Sequence, residues 1–164
     1  MNFNAKKIIE KLDLKPHVEG GYHKRTYQSA TPLKCNNKIR RINTAIYYLL
    51  EGNEFSAWHR LKSDEIWHYY CGDDLLVHQI NENGVLSSTL LGNMLESLDA
   101  QPQCIILANT WFSAELVSPE AFVLIGCTVS PGFDYDDFEM GERNQLINTY
   151  PQHKDLIIRL TKNR

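Results

Sequence analysis

Long apolar runs are missing from this 164-residue chain, and no stretch reaches the roughly 18 consecutive apolar residues that a membrane-spanning helix needs. Residues 1–17 contain lysines but lack the apolar centre and the small-residue cleavage site of a signal peptide. With 43% hydrophobic residues the chain still has enough apolar side chains for a buried core. We therefore expect a cytoplasmic protein that does not associate with membranes.

Closely spaced cysteine pairs are also missing. The four cysteines, Cys35, Cys71, Cys104 and Cys127, lie far apart, and no two form a CxxC pair. A zinc knuckle needs such pairs, and a disulfide framework usually shows a denser cysteine pattern. We expect free, mostly buried thiols, which fits the reducing cytosol.

Charge is distributed unevenly along the sequence. Residues 1–41 contain ten Lys or Arg and three acidic residues, although the whole chain carries a formal net charge of −3. The run KCNNKIRR, residues 34–41, is compatible with a phosphate or nucleotide site and equally with a solvated loop before a strand. Because aromatic residues do not alternate with these cations and no nucleic-acid motif is present, nucleic acid is not an expected partner.

Short runs rich in β-branched and aromatic residues dominate the chain between two helical ends. Turn-type residues separate the runs, and neither internal repeats nor low-complexity segments interrupt them. This spacing predicts a mainly β fold, either a sandwich, a jelly roll or a small barrel, in one domain over residues 1–164 with its core over 14–140. Helices are predicted at 4–14, 142–149 and 152–160, and strands at 21–29, 42–50, 56–60, 65–71, 75–80, 85–91, 104–108, 111–117 and 122–129.

Histidines and one carboxylate concentrate in SAWHRLKSDEIWHYYCGDDLLVHQI, residues 56–80. In a regular strand Glu65, Trp67 and Tyr69 share one face and His68 points to the other, so Glu65 and His68 do not ligate the same ion. If residues 72–74 form a three-residue hairpin loop, His68 faces His78 across the hairpin. Such a pair binds a transition metal when a third ligand joins it, and otherwise forms a wet patch or a hydrogen-bonded core pair.

His59 stands next to Arg60 and close in sequence to Glu65. Because imidazole titrates near neutral pH and a carboxylate fixes its tautomer, this arrangement favours an acid–base group. The plainer alternative is a histidine that only ends a strand.

One spacing pattern resembles a known superfamily. Gly52, five residues, Trp58-His59-Arg60, four residues, Glu65, six residues and Gly72 resemble the first motif of the cupins, and LANTWF at 107–112 resembles the second. The segments PHVEGGYHKRTY (16–27), TAIYYLLEG (44–52), WHRLKSDEIWHYYCG (58–72) and GCTVSPGFDYDDFEMGER (126–143) are similar to the subgroup called cupin superfamily 5. The resemblance implies a double-stranded β-helix, or jelly roll, usually as a homodimer.

The sequence departs from the superfamily at its metal ligands. In this alignment the four ligand positions hold Trp58, Arg60, Glu65 and Phe112, so only the carboxylate is kept. One carboxylate is too few for a transition-metal site. We therefore expect no cofactor and an ion pair between Arg60 and Glu65 in a polar cavity. A divalent metal held by His59, Glu65, His68 and His78 is the alternative.

Metal-free cupins provide a second analogy. The dTDP-4-dehydrorhamnose epimerases are jelly rolls in which a histidine after an apolar residue on this strand is the catalytic base, and Trp58-His59 looks similar. The resemblance covers His59 alone and implies that it is a base. For a catalytic cavity we expect Glu65 and Arg60 to orient His59 or hold the substrate, and Tyr69, Tyr22 or Tyr135 to return the proton.

Further candidates surround this pattern. Glu19 precedes two glycines, which permit close backbone approach to a ligand or form a tight turn. Trp58, Trp67, Tyr69, Trp111 and Phe112 either stack on a sugar-like ligand or simply fill the barrel.

Three functions stay open at this point. The leading one is an aromatic-lined cavity for a small molecule, such as a carbohydrate or nucleotide derivative, with metal-independent isomerase or epimerase chemistry. The second is a metabolite or nucleotide sensor without catalysis. The third is a metal-dependent cupin enzyme.

Overall fold

The computed structural model of the chain describes residues 4–35 and 37–162. Three helices and thirteen strands alternate with two single 3₁₀ turns, at Tyr135–Asp137 and Pro151–His153. The helices are α1 (Ala5–Leu12), α2 (Arg143–Thr149) and α3 (Lys154–Arg159). The strands are β1 (Lys15–Pro16), β2 (Tyr22–Gln28), β3 (Pro32–Cys35), β4 (Lys38–Arg41), β5 (Thr44–Glu51), β6 (Phe55–Leu61), β7 (Asp64–Gly72), β8 (Leu75–Ile80), β9 (Leu86–Leu91), β10 (Gln103–Ile106), β11 (Trp111–Leu116), β12 (Phe122–Ser130) and β13 (Phe138–Met140).

Eleven of these strands form two facing antiparallel sheets. The first sheet has the order β1-β2-β5-β12-β7-β10, and the second has the order β13-β6-β11-β8-β9. Strands that follow one another in sequence often lie in different sheets, as β5 and β6 or β7 and β8 do. This arrangement is the predicted jelly roll, and the predicted mainly β class is confirmed.

Apolar side chains between the two sheets form the main core, in which Trp67, Phe112 and Ile125 are almost completely buried. Helix α1 packs its buried residues Ala5 and Ile8 against the outer face of the first sheet. The C-terminal helices cover the outer face of the second sheet in a separate cluster. Its fully buried members are Trp58, Ile80, Leu146, Ile157 and Leu160. Each sheet is therefore covered in part by a helix, as the apolar pattern of its outer face requires.

The predicted elements correspond closely to the observed ones. Each of the nine predicted strands is present with small shifts at its ends, whereas the short strands β1, β3, β4 and β13 were not predicted. The first helix begins after Asn4, whose side chain accepts the Lys7 N–H at 3.1 Å, and ends at Asp13 in the left-handed conformation. Pro151 separates α2 from α3, as predicted.

The predicted hairpin between β7 and β8 is wrong. The chain crosses to the opposite sheet at residues 73–74, so β7 pairs with β12 and β10, whereas β8 pairs with β11 and β9. His68 lies near Thr128 and Gln103 in the first sheet, and His78 lies near Ser88 and Glu115 in the second. The two histidines therefore do not form a pair.

The basic run at 34–41 is part of the β3–β4 hairpin, with residue 36 outside the described residues. Arg40 is largely buried and binds the carboxylate of Asp137, and Lys38 approaches Asp136 to 3.2 Å. The hairpin therefore packs against the acidic segment at 134–137. The four cysteines are free, as predicted, but only Cys104 and Cys127 are buried, whereas Cys35 is half-buried and Cys71 is exposed. Within the described ranges, every helix is too short or too polar to cross a membrane.

Candidate functional site

A cavity of about 340 Å³ opens at one end of the space between the two sheets. Its size lies at the lower end of the range for small-molecule sites. Titratable groups line its interior and aromatic rings line its mouth. The lining residues are His17, Glu19, His23, Arg25, Ile46, His59, Leu61, Glu65, Cys127, Val129, Phe133, Tyr135 and Phe138.

Strand alternation decides which residues of β6 reach this cavity. His59 and Leu61 face inward, and the residues between and before them face the other side of the sheet. Trp58 is fully buried in the cluster with the C-terminal helices. The sequence alignment therefore had the wrong register, because the inward positions that follow Gly52 hold His59 and Leu61 instead of Trp58 and Arg60.

Arg60 does not contact Glu65, and the predicted ion pair between them is wrong. Its guanidinium binds Glu139 on the neighbouring strand β13, with Nη2 to Oε2 at 2.7 Å. The same group stacks on the Trp111 ring at 4.5 Å. Arg60 therefore belongs to the outer face of the second sheet, where its side chain is about one third exposed.

Glu19 reaches the cavity because its loop is held tightly against β6. Gly20 and Gly21 have φ values of 126° and 61°, and a Cβ on Gly20 would overlap the carbonyl of Phe55. The Ala57 N–H donates to the carbonyl of Glu19 at 2.9 Å. The two glycines therefore place the Glu19 carboxyl in the barrel, where the residue is only 6% exposed.

His59 and Glu19 form the central contact of the site. The Nε2 atom of His59 lies 3.1 Å from Oε2 of Glu19, and Nδ1 lies 2.7 Å from the carbonyl oxygen of Ala57. A carbonyl accepts but does not donate, so Nδ1 must carry a proton. One further proton then lies between Nε2 and Oε2, either on the glutamic acid or on the imidazole ring. The pair therefore holds a single transferable proton.

Burial sets the protonation of this group of residues. It raises the pKa of Glu19 to about 8 and the pKa of Glu65 to about 7, since a carboxylate loses its hydration inside the barrel. Burial also lowers the pKa of His59, against the smaller opposing influence of Glu65. Near neutral pH the proton of the pair therefore resides mainly on Glu19, and Glu65 is close to half ionised.

His17 forms a neutral wall beside the pair. Its Nδ1 accepts the backbone N–H of Glu19 at 3.4 Å and lies 3.5 Å from the Oε2 atom. Burial, with smaller contributions from the nearby His23 and His59, lowers the pKa of His17 to about 3. His17 therefore orients Glu19 without adding a charge at neutral pH.

Three aromatic rings surround the mouth of the cavity. The rings of Phe133 and Tyr135 lie 5.1 Å apart, and Phe138 packs edge-on to both at 5.9 and 6.1 Å. Tyr135 is 62% exposed, so its ring stands at the rim. Of the three tyrosines named as proton donors from the sequence, Tyr135 is the one that lines the cavity.

Other predicted residues lie away from the opening. Trp67 and Phe112 belong to the core that forms the floor of the cavity, and the Phe112 ring lies 4.0 Å from the His59 ring. Tyr69 shares the inner face with Glu65, four residues along the strand, but its hydroxyl donates to the carbonyl of Gly72 at 2.6 Å. Tyr22 packs on the opposite face of the first sheet with helix α1.

Metal ligands do not converge in this cavity. Leu61 and Phe112 occupy two of the positions at which cupins place metal-binding histidines, and Nε2 of His59 faces Glu19. His68 and His78 lie in different sheets, outside the cavity. Within residues 4–35 and 37–162, no group of three His, Cys, Asp or Glu side chains is arranged to hold a metal ion. The residues present do not fit a transition metal.

Comparison with known proteins agrees with this architecture. The sequence profile of the family described as Cupin superfamily (DUF985) matches residues 6–141. The chain belongs to this cupin family. A crystal structure of a Shewanella oneidensis protein is 35% identical, with a TM-score of 0.91 over 99% of this chain and 100% of that one. A hypothetical protein from Leishmania major is 33% identical, with a TM-score of 0.88 over 98% of this chain and 100% of that one.

More distant cupins share only the fold. Oxalate decarboxylase from Bacillus subtilis superposes with a TM-score of 0.58 at 11% identity, over 93% of this chain and 38% of that enzyme. No curated protein matches the sequence. This cupin is therefore placed by family and fold, and its chemistry has to be argued from its own cavity.

Sequence reasoning missed several residues of the cavity. His17, His23, Arg25 and Cys127 were not singled out, and Glu19 was not expected to contact His59. The alternation of β2 contained a signal, because His23 and Arg25 lie two positions apart and share a face. No local pattern indicates the contact between Glu19 and His59, since it joins a loop and a strand 40 residues apart.

Proposed function

We propose that the cavity binds a small polar carbonyl compound of sugar size and moves a proton on it, as a metal-independent isomerase or epimerase does. The observation that carries this proposal is the 3.1 Å contact between Nε2 of His59 and Oε2 of Glu19, with Nδ1 of the ring held by Ala57, in a buried cavity that also contains Glu65. Buried carboxyl groups with raised pKa values are suited to acid–base catalysis near neutral pH.

The geometry separates the roles of the three groups. Both ring nitrogens of His59 are engaged, one by Ala57 and the other by Glu19, so His59 acts through Glu19 as a positioning residue. Glu19 is the acid, because its carboxyl shares a proton with Nε2 of His59. Glu65, the other buried carboxyl that lines the cavity, is the base.

The proposed reaction conserves protons. The Glu65 carboxylate takes the proton from the carbon next to the substrate carbonyl, and the Glu19 carboxyl gives its proton to the carbonyl oxygen. The product of this step is a neutral enol, with Glu65 protonated and Glu19 ionised beside His59. If Glu65 then protonates the former carbonyl carbon and the hydroxyl of the neighbouring carbon gives its proton to Glu19, the product is an isomer. If Glu65 protonates the original carbon on the opposite face of the enol and the enol hydroxyl gives its proton back to Glu19, the product is an epimer.

This mechanism implies a bell-shaped dependence of turnover on pH. Turnover rises as Glu65 ionises through about pH 7 and falls as Glu19 loses its proton through about pH 8. Because the two carboxyls and His59 interact, the two limbs belong to the group and not to single residues. A homodimer and a cytoplasmic location remain predictions.

Proton exchange with solvent tests this function directly. Free aldoses and ketoses, with their phosphates and uronic acids, are incubated with the protein in D₂O, and deuterium at the carbon next to the carbonyl is measured by mass spectrometry. We expect incorporation with the wild-type chain, loss of it in Glu65→Gln, and no change in the exposed control Glu120→Gln. Equal incorporation by Glu65→Gln and wild type, with both folded, would contradict the proposal. Binding without incorporation would instead support the non-catalytic sensor.

A further inference from the structure

We propose that the ligand of this cavity carries an anionic group, a carboxylate or a phosphate, which Arg25 binds at the mouth. This inference rests on the proposed function and deepens it, because it narrows the substrate class to sugar acids or sugar phosphates. It does not depend on which interior group acts as acid or base.

Arg25 has an unusual place among the charged residues. Of the described residues that line the cavity, it is the one lysine or arginine. Its guanidinium donates from Nη1 to the neutral side chain of Gln28 at 2.9 Å, and no carboxylate of the described residues forms an ion pair with it.

Three other arginines are already engaged by carboxylates, and Arg41 and Arg143 donate to the oxygens of Ala30 and Thr161 outside the cavity. Arg40 binds Asp137, Arg60 binds Glu139, and Arg159 binds Glu115. An arginine prefers planar oxyanions, with which it forms two parallel hydrogen bonds. Arg25 therefore keeps most of its donors for a ligand at the opening.

The strand register fixes how far this cation is from the proposed chemistry. Arg25 on β2 pairs with Ile46 on β5, which pairs with Cys127 on β12, and Cys127 pairs with Trp67 on β7, two residues from Glu65. Three strand spacings and this offset separate the backbones of Arg25 and Glu65 by about 16 Å. Both side chains line the cavity, so a ligand of sugar size that fills it bridges them.

The charge of the interior is small near neutral pH. Burial keeps Glu19 protonated and His17 neutral, so of these buried groups only Glu65 carries negative charge there, and it is also the lining carboxyl across the sheet from Arg25. The polar interior binds the carbonyl and hydroxyl groups of a ligand, and the Arg25 guanidinium at the mouth binds its anionic group. A neutral sugar makes only the first set of contacts.

Matched pairs of ligands test the inference. Binding of glucose 6-phosphate is compared with glucose, and binding of galacturonate with galactose, by isothermal titration calorimetry at millimolar concentration. The variants are Arg25→Gln, Arg25→Lys and the control Lys24→Gln, which removes the neighbouring charge of the same strand from the opposite face.

We expect at least one charged ligand to bind about tenfold more tightly than its neutral counterpart. Arg25→Gln should remove this preference, Arg25→Lys should keep part of it, and Lys24→Gln should leave it unchanged. Preference for the phosphate or for the uronate identifies the source of the anion. Equal affinity for charged and neutral sugars, an unaltered preference in Arg25→Gln, or no binding of either charged ligand would overturn the inference. Deuterium incorporation into neutral sugars, blocked by Glu65→Gln, would leave the proposed function standing in that case.

Discussion

Two histidine–glutamate pairs in this molecule have the same separation and opposite electrostatics. In the cavity, Nε2 of His59 lies 3.1 Å from Glu19, and beneath helix α3, Nε2 of His78 lies 3.1 Å from Glu115. Burial raises the pKa of Glu19 to about 8. Burial also raises the pKa of Glu115, but hydrogen bonds from Arg159 and His78 outweigh it, and the pKa stays below its ordinary value.

Arg159 is the reason for the difference. Its guanidinium binds both carboxylate oxygens of Glu115, so this carboxylate stays charged and fastens α3 to the barrel. Glu19 has no arginine beside it among the described residues, and the proton that keeps it neutral is shared with His59. The same two residue types therefore hold the structure together in one place and keep a movable proton in the other.

The largest change in the free energy of unfolding should come from a variant that lacks the charge Glu19 gains at high pH. The unfolded chain ionises Glu19 near pH 4.5 and the folded chain near pH 8, so the folded state binds more protons between these values. Stability therefore falls as the pH rises through this window and levels off above it. Glu19→Gln keeps a neutral hydrogen-bond donor for His59 and has no charge to gain. The difference in the free energy of unfolding between this variant and the wild type should therefore shift in favour of the variant by on the order of 3 kcal/mol from pH 5 to pH 9.

Urea denaturation of wild type and Glu19→Gln at pH 5, 7 and 9 measures this difference. Glu120→Gln, an exposed glutamate of the same chain, is the control and should follow the wild type. A constant difference between Glu19→Gln and wild type at all three values would show that Glu19 is ionised in the folded protein.

Removing the carboxylate of the second pair should destabilise the chain instead of stabilising it. Glu115→Ala leaves the buried ring of His78 and the guanidinium of Arg159 without their acceptor, and this should cost about 2 kcal/mol at neutral pH, or roughly 4–8 °C in Tm. Thermal unfolding followed by circular dichroism measures the loss. A Tm within a degree of wild type would mean that the pair does not fasten α3, and Glu120→Ala controls for the lost glutamate.

The sequence predicts which strand residues face the interior because side chains alternate between the two faces of a strand. Alternation along residues 65–69 placed Glu65, Trp67 and Tyr69 on one face, and the structure confirms it. The error at β6 was in the alignment to the cupin motif, which counted the residues after Gly52 one position off. A shift of one position exchanges the two faces of a strand, so Trp58 and Arg60 were assigned to the inward positions that His59 and Leu61 occupy.

The contacts that decide the chemistry could not be predicted locally. Glu19 meets His59 because two glycines press a loop onto β6, and Arg25 reaches the mouth through a sheet in which β2 pairs with β5. His68 and His78 were paired on the assumption of a hairpin, but a jelly roll sends consecutive strands to opposite sheets. Long-range strand order therefore determines the site, whereas local pattern determines only its elements.

A smaller loss of stability should follow when the hydroxyl of Ser88, which contacts His78 of the second pair, is removed. The Ser88 hydroxyl lies 2.7 Å from Nδ1 of His78, and it donates to that nitrogen because Nε2–H already faces Glu115. Ser88 is exposed, so water replaces the lost hydroxyl in Ser88→Ala, and we expect a loss of only about 0.5–1 kcal/mol in urea denaturation. The neighbouring Ser87→Ala is the control, and a loss as large as that of Glu115→Ala would contradict this account.

The last difference between the pairs should appear without any change in stability. His59 donates from Nδ1 to Ala57, whereas His78 donates from Nε2 to Glu115, so the two neutral rings are opposite tautomers. Long-range proton–nitrogen spectra of histidine-labelled protein at pH 7 distinguish the tautomers by the shifts of the two ring nitrogens. Assignment comes from the His59→Gln and His78→Gln variants. A doubly protonated His59 at this pH would place the proton of the cavity pair on the ring and reverse the assignment of Glu19 as the acid.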